Sequence, residues 1–326
     1  MNGLRVRADR HRGAVVALAL LAATALSPHS AQAQDGAGCP IVNEVAPTID
    51  AKGPYKKGAV IRDDDNVRYN KLSMLELTRF RKSISQISDQ VVQGDGSAKS
   101  CFESNLAKWV ATDPITVAPS QQAAFEQTWA LATVALAIVK AEAGGAKITP
   151  ETTRWLRRVT DQVRDFHDRK NSRNNHRAWA ALAVGAAAYA LRDDDAWRWA
   201  LASEAMIIDQ IQPDGTLPLE LQRGPRSSTY HFFTAMALMP LNMLRACRGG
   251  VDARTRDGTA RLLTLLHKID QDPQVLAGQA GQEQGVITDL PIIASLEGTR
   301  DPGRVVDRLG GNVGNLRQSL ARCSAR

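Results

Sequence analysis

Residues 170–191 read KNSRNNHRAWAALAVGAAAYAL. From Ala178 to Leu191 the run is alanine-rich and uncharged, the composition of a helix buried all round. Arg173, Asn174, Asn175, His176 and Arg177 crowd its leading edge. That density of hydrogen-bonding groups has two readings. Either Asn174 or Asn175 is simply the N-cap that a helix start asks for, or the buried helix is a platform that holds a site at its mouth.

The rest of the chain is helical as well. Leu72, Leu75, Phe80, Ile84, Ile87 and Val91 recur mostly at three- and four-residue steps. Thr149-Pro150-Glu151 reads as N-cap, N1 proline and acidic first turn, and Trp155, Val159, Val163 and Phe166 carry a stripe onward. Asp193-Asp194-Asp195 opens another helix bearing Trp197, Leu201, Ile208 and Ile211. Further helices are expected roughly over 119–143, 175–191, 228–247, 257–269 and 303–322. Convincing strands are missing, and no period of about 34 residues recurs to mark a tetratricopeptide solenoid. Ala-rich helices joined by short loops fit antiparallel hairpins set side by side, because small side chains let helix axes approach closely. The expected fold is all-α, an incomplete α/α toroid whose inner helices wall a groove.

The N-terminus sets the compartment. Arg5, Arg7, Arg10 and Arg12, the apolar AVVALALLAATAL over 14–26, and Ala31-Gln32-Ala33 read as a signal peptide cleaved before Gln34. Its core is shorter than the roughly 20 residues of a membrane span, and no later segment reaches that length; an uncleaved anchor is the alternative. Residues 34–326 are read as one domain, periplasmic or secreted and monomeric, since no linker-like stretch divides them. Loss of four arginines and Asp9 with the leader takes the formal charge from +7 to +4. That excess suits a polyanionic ligand or a plain solvated surface, and nucleic acid is the wrong polyanion for an exported chain. Cys39, Cys101, Cys247 and Cys323 can pair in an oxidising compartment, with three connectivities open to them. The favoured one joins Cys39 to Cys101 and Cys247 to Cys323, each tying a peripheral segment to a helix. They are too scattered for a zinc site built from closely spaced pairs.

A second polar cluster, QPDGTLPLELQRGPRSSTYHFF over Gln212–Phe233, also leads into an apolar helix. Asp214-Gly215 makes a turn, and Glu220, Arg223, Arg226, Tyr230 and His231 follow. One helical segment, about 193–211, separates the two clusters and returns the chain to the same side, so they can face each other. Amide, imidazole, guanidinium and phenol together answer to one reaction. Cleaving a 4-linked polyuronate without water removes the proton on C5, beside the carboxylate, and expels the oxygen on C4. The carbanion needs that carboxylate neutralised by donors, a base for the proton and an acid for the leaving oxygen. Asn175, His176 and Arg223 can be the donors. Tyr230 can carry the proton if nearby positive charge lowers its pKa from about 10. This chemistry requires no metal or cofactor. Taken singly, each residue has a structural reading: cap, half-buried histidine, surface arginine, core tyrosine.

The two blocks, Asn174-Asn175-His176 with Trp179, then Gly215, Leu217, Pro218, Glu220, Leu221, Arg223, Arg226, Tyr230 and His231, resemble the alginate lyases of polysaccharide lyase family five in order and spacing. The resemblance implies an exported, incomplete α/α toroid acting on mannuronate-rich alginate. It implies that Asn175, His176 and Arg223 neutralise the substrate carboxylate and that Tyr230 is acid and base. It places Arg226 and His231 among the substrate-binding residues. QQAAFEQTWAL, from Gln121, is similar to the family's substrate-binding helix, which would put Gln122, Phe125 and Trp129 in the groove, with a core role for Trp129 equally open. Cys39 and Cys101 resemble its N-terminal disulfide. IRDDDNVRYNK over 61–71 corresponds to its mobile lid, making Arg62, Arg68 and Tyr69 lid contacts. The match fades after Gly250, and Arg177-Ala178 and Phe232-Phe233 depart from the family's residues.

In mannuronate and glucuronate alike the C5 hydrogen and the C4 oxygen leave from one face, so one tyrosine can serve both. Guluronate presents its C5 hydrogen on the opposite face, where His176 is the candidate base. Mannuronate-type alginate is the first expectation and glucuronan the second. Two other classes stay open. One is a non-catalytic polysaccharide-binding protein of the export machinery. The other is a glycoside hydrolase, which needs two carboxylates across the groove, with Asp214 and Glu220 nearest to that pattern. No Gly-x-Ser-x-Gly elbow, phosphate-cradling loop or metal-ligand spacing is present.

Overall fold

The structure, a computed structural model, describes Cys39 and residues 45–56, 61–299 and 305–321. Every described residue belongs to one compact unit, Cys39–Arg326. The expected signal peptide and its cleavage site lie outside the described residues.

Thirteen helices are present among the described residues: α1 (Asp64–Ser73), α2 (Leu75–Val92), α3 (Gly96–Ala111), α4 (Gln121–Ala143), α5 (Pro150–Lys170), α6 (Asn175–Leu191), α7 (Asp194–Ile208), α8 (Pro218–Leu221), α9 (Ser227–Cys247), α10 (Ala253–Gln271), α11 (Ala277–Ala280), α12 (Ile292–Glu297) and α13 (Val313–Ala321). Their starts follow the sequence cues. Asp95, Ser120, Thr149, Asn174, Asp193 and Asp252 each accept a backbone N–H of the first turn, from α3, α4, α5, α6, α7 and α10 respectively, supplying partners that helix ends lack.

Two layers result. The inner layer is α2, α4, α6 and α9, each packed on the next, and α3, α5, α7 and α10 cover it from outside as the return arms of hairpins. The inner helices run parallel. Phe125 of α4 stacks on His176 of α6 and Trp179 of α6 contacts Phe233 of α9 at their N-terminal ends, while Arg248, capping α9, reaches Ala188 O near the C-terminal end of α6. This is the expected α/α toroid of antiparallel hairpins. Four aligned N-termini face one mouth of it, and their partial positive charge favours an anionic ligand there.

Helix α6 is the centre of the packing and lies against α4, α5, α7 and α9. Its alanines allow that closeness, and Gly185 is the extreme case: a Cβ there would lie 2.6 Å from Leu241 Cδ1 of α9. Trp179 is fully buried, and its Nε1 donates to Phe233 O at 3.0 Å, pinning α6 to α9.

Two sequence expectations need correction. Leu72 and Leu75 were assigned to the apolar stripe of one helix, but the helix breaks at Met74, and Leu72 lies 74% exposed on α1. The helix expected over 303–322 is shorter: an antiparallel ladder of β1 (Val305–Val306) with β2 (Gly311–Asn312) precedes α13. This segment closes the inner layer, with α13 against α2, α4 and α9. Asp89 of α2 accepts from Asn312 N at 2.8 Å and Asn315 Nδ2 at 3.0 Å and pairs with fully buried Lys140 of α4, so one buried carboxylate holds three elements. Polar ties of this kind leave no hydrophobic stripe to read in a sequence.

The Cys39–Cys101 disulfide is formed. Cys247 is disulfide-bonded too, and its expected pairing with Cys323 lies outside the described residues. No described helix is long and apolar enough to cross a membrane.

Candidate active site

The stretch that opens α6 assigns one task to each polar residue. Asn171 ends α5 in the left-handed region at φ 49°, a conformation asparagine tolerates better than most residues. Ser172 Oγ lies 3.1 Å from Nδ1 of buried His167, whose Nε2 lies 3.0 Å from Thr128 Oγ1 of α4. Asn174 Oδ1 caps the helix by accepting His176 N at 3.2 Å. The turn is thereby fixed to both neighbouring helices, and Asn175 and His176 are delivered to the toroid mouth. Asn174 is the cap, and Asn175 follows it as the first residue of α6.

The second block meets the first through a carboxylate. Glu220, 1% exposed on α8, accepts Asn175 N at 2.6 Å and Asn175 Nδ2 at 3.0 and 3.1 Å on its two oxygens. Arg223 Nε lies 3.5 Å from the same carboxylate. Burial pushes the Glu220 carboxyl above the usual carboxylate range, while the Asn175 donors and Arg223 pull it down. The contact fixes the Asn175 amide, since turning it over would face its oxygen to a carboxylate. Oδ1 is thus the buried amide atom left without a partner. Sequence reasoning made Asn175 a donor to substrate; in the free protein its donors are engaged by Glu220.

The α8 loop is shaped for this contact. Gly215 sits at φ +89°, and a Cβ there would lie 2.9 Å from Leu265 Cβ of α10. His231, assigned to substrate binding on its sequence, is instead fully buried: Leu217 N donates to its Nε2 at 2.8 Å, and its Nδ1 donates to Ser227 O at 2.7 Å. It fastens the loop to α9, with both ring nitrogens engaged. Burial lowers its pKa to about 4, so it is neutral.

Tyr230, on the first turn of α9, has the Arg223 guanidinium 4.8 Å and that of Arg226 5.6 Å from its ring centre. Its hydroxyl lies 3.5 Å from that of Tyr55, and Arg226 stacks over the Tyr55 ring at 3.6 Å. Two Arg226 nitrogens, Nε and Nη1, are buried without a partner. Net positive charge was expected to lower the Tyr230 pKa. Burial first, and then the hydrogen bond and charge interaction with Tyr55, raise it to about 12 against the lowering pull of Arg226 and Arg223. In the free protein Tyr230 is a phenol.

His176 stacks face to face on Phe125, with ring centres 3.6 Å apart and planes 6° apart. Burial, then the charges of His167, Arg223 and Lys170, take its pKa down to about 3. It is therefore a neutral N–H donor and not an imidazolium. Gln122, half-buried on the first turn of α4, donates to Glu126 at 3.3 Å. Trp129 is 7% exposed; its ring lies 6.2 Å from His176 and carries the Arg308 guanidinium at 4.3 Å. That arginine covers one face of the ring.

The lid contacts also differ from expectation. Arg68 pairs with Asp65, and Tyr69 bonds Asp50 and lies under Lys52, so neither has a contact with Tyr230. Arg62 pairs with Asp64 at 3.8 Å. The residue that reaches the centre is Tyr55, on a loop bridged to Arg62 and tied by Asp63 N to Pro54 O at 2.9 Å. Sequence reasoning missed it inside a Pro/Gly-rich lead-in. The available signal was scarcity, as only four tyrosines exist and Tyr189 belongs to the buried run. Neither carboxylate of the hydrolase reading faces the groove. Glu220 is engaged by Asn175, and Asp214 accepts Thr216 N at 3.0 Å and Thr216 Oγ1 at 2.7 Å within its own turn.

Comparison with known proteins bears on the family and the fold. A family model described as alginate lyase matches residues 46–268. A polysaccharide lyase of Stenotrophomonas maltophilia (strain K279a) is 33% identical over 233 residues, covering 67% of this chain and 69% of that one. An alginate lyase of Pseudomonas fluorescens (strain SBW25) is 27% identical over 256 residues, covering 73% and 68%. Among solved structures, a histidine-to-alanine variant of alginate lyase A1-III complexed with tetrasaccharide superposes with a TM-score of 0.64 at 19% identity, covering 85% of this chain and 84% of that one. The apo form of that variant gives 0.65 at 18%, with 84% of each chain covered.

Proposed function

The chain belongs to the alginate lyase family, and we propose that it cleaves mannuronate-rich alginate by β-elimination, leaving a 4,5-unsaturated uronate end. The observation that carries this reading is the Asn175–Glu220–Arg223 bridge, which joins two distant sequence blocks and sets the Arg223 guanidinium beside the Tyr230 ring. The uronate carboxylate meets the guanidinium of Arg223, that of Arg226 and the neutral His176 N–H. These donors let it take up the charge that develops when C5 loses its proton. Asn175 Oδ1, an acceptor without a partner, receives a sugar hydroxyl.

Tyr230 moves the proton. In its ionised form it takes the C5 hydrogen; the C5 electron pair becomes the C4–C5 double bond as the C4–O bond breaks. The new phenol then returns the proton to the departing oxygen on the same face. Arg223 and Arg226 stabilise the phenolate, and the Tyr55 hydroxyl can donate to it. Mannuronate and glucuronate share this same-face geometry, so glucuronan is the second substrate. The leader read in residues 1–33 would deliver the enzyme to the periplasm or beyond.

Tyr230→Phe keeps the ring and removes the proton carrier. Loss of one general acid–base group typically costs about 10²–10⁴-fold, and one residue serving both steps should sit at the upper end. The variant is expected to lose turnover of polymannuronate by at least that order while its circular dichroism matches the parent. Retained turnover would remove Tyr230 from the reaction.

A further inference from the structure

Around Trp129, whose ring lies 6.2 Å from His176, is a set of donors that the elimination does not use. Arg81 of α2 is 7% exposed, and its Nε and Nη1 are buried with no hydrogen-bond partner; its ion pair with Glu126 stands at 3.6 Å. Trp129 Nε1 is buried without a partner as well. Above them, half-buried Arg308 lies over the Trp129 ring at 4.3 Å and the Phe233 ring at 5.3 Å, and none of its nitrogens is hydrogen-bonded among the described residues. Glu126 and Asp307 are the acidic groups that act on Arg308, while Arg81 adds positive charge beneath it and Lys82 acts on Asp307. A guanidinium held on an aromatic shelf, with no partner for its fork and a second arginine below, is placed to receive a carboxylate from the groove side.

We infer that Arg308, held over the Trp129 ring with Arg81 adding positive charge, binds the carboxylate of a uronate residue neighbouring the one that reacts. The Trp129 ring spans the interval, 6.2 Å from His176 and 4.3 Å from the Arg308 guanidinium. The subsite gives the C-terminal segment a function. The 3-10 turn Asp307–Leu309 between β1 and β2, held by the Asp89–Asn312 tie, sets Arg308 in the groove. It also follows that Trp129 acts as the shelf for a cation and does not itself stack on the sugar. This inference rests on the polyuronate reading of the site.

The test uses binding without turnover. Tyr230→Phe protein is titrated calorimetrically with oligomannuronates of two to five residues, with and without Arg308→Ala. One charge-assisted carboxylate contact corresponds to on the order of ten- to a hundredfold in affinity. Arg308→Ala should weaken the longer oligomers by that factor, flatten the gain in affinity with chain length, and leave the melting temperature in place. Arg308→Lys should recover only part, because an ammonium lacks the fork. Binding by the Tyr230→Phe parent with equal affinity in the Arg308→Ala variant overturns the subsite alone. No binding of any oligomannuronate or oligoglucuronate by the parent removes the polyuronate reading, and the subsite falls with it.

Discussion

Burial at the mouth of the toroid, and then the charges of His167, Arg223 and Lys170, decide the protonation of His176, and that decision reaches the kinetics. With its pKa down at about 3, the imidazole is neutral throughout the range in which the enzyme is handled. Tyr230, raised to about 12, is the group whose active form grows with pH. The plot of kcat/KM against pH should therefore climb toward the alkaline side with no inflection near 6.5. A step near 6.5 that disappears in His176→Ala would show the histidine titrating and contradict its neutral role. Tyr55→Phe should lower kcat more than it changes KM, because its hydroxyl faces Tyr230; a change confined to KM would make Tyr55 only a binding residue. The candidates legible in the sequence were those carried by a spaced pattern, Asn175, His176, Arg223 and Tyr230. Tyr55 was not, because it belongs to no periodic element. The roles of Glu220 and His231 were read only in part, because a buried carboxylate or imidazole shows its function through the partner it meets in space.

Helix α6 shows why the helical elements could be read and where such reading stops. Its uncharged alanine run announces burial, its cap announces the start, and its contacts with four helices follow from the small side chains. Gly185 tests this directly. Gly185→Val inserts methyl groups where even a Cβ would lie 2.6 Å from Leu241 Cδ1. Overpacking of this kind costs roughly 1–3 kcal/mol, or a drop in Tm of about 2–10 °C for a domain of this size. An unchanged Tm would mean that α6 and α9 are not held as closely as described. The C-terminal helix was placed too early for the opposite reason. Buried Val313, Leu316 and Leu320 mark α13 itself, but the turn before it is set by Asp89, Lys140, Asn312 and Asn315, a polar tie that no hydrophobic period signals.

For the molecule as a whole, the buried titratable groups set its acid stability. His167, His176 and His231 are held neutral, with pKa values of about 3, 3 and 4 against 6.5 when unfolded. The unfolded chain binds their protons first, so stability is lost as pH falls below 6.5. Glu142 and Glu204 act oppositely: burial raises both to about 7 from 4.5, so their contribution fades as pH rises through 7. Below about 4.5 these carboxyls are protonated in both states and their offset ends. Thermal scans across pH 3.5–7 should therefore show Tm falling most steeply below about pH 4.5. A Tm that holds level there would contradict the burial of these imidazoles. The central claim, that amide, imidazole, guanidinium and phenol from two sequence blocks act on one sugar acid, is tested most directly by following the ultraviolet absorbance of the C4–C5 double bond with the purified protein. Polymannuronate, whose leaving groups share a face, should give a steady rise, and polyguluronate a much slower one. New reducing ends on polymannuronate with no absorbance would contradict the account.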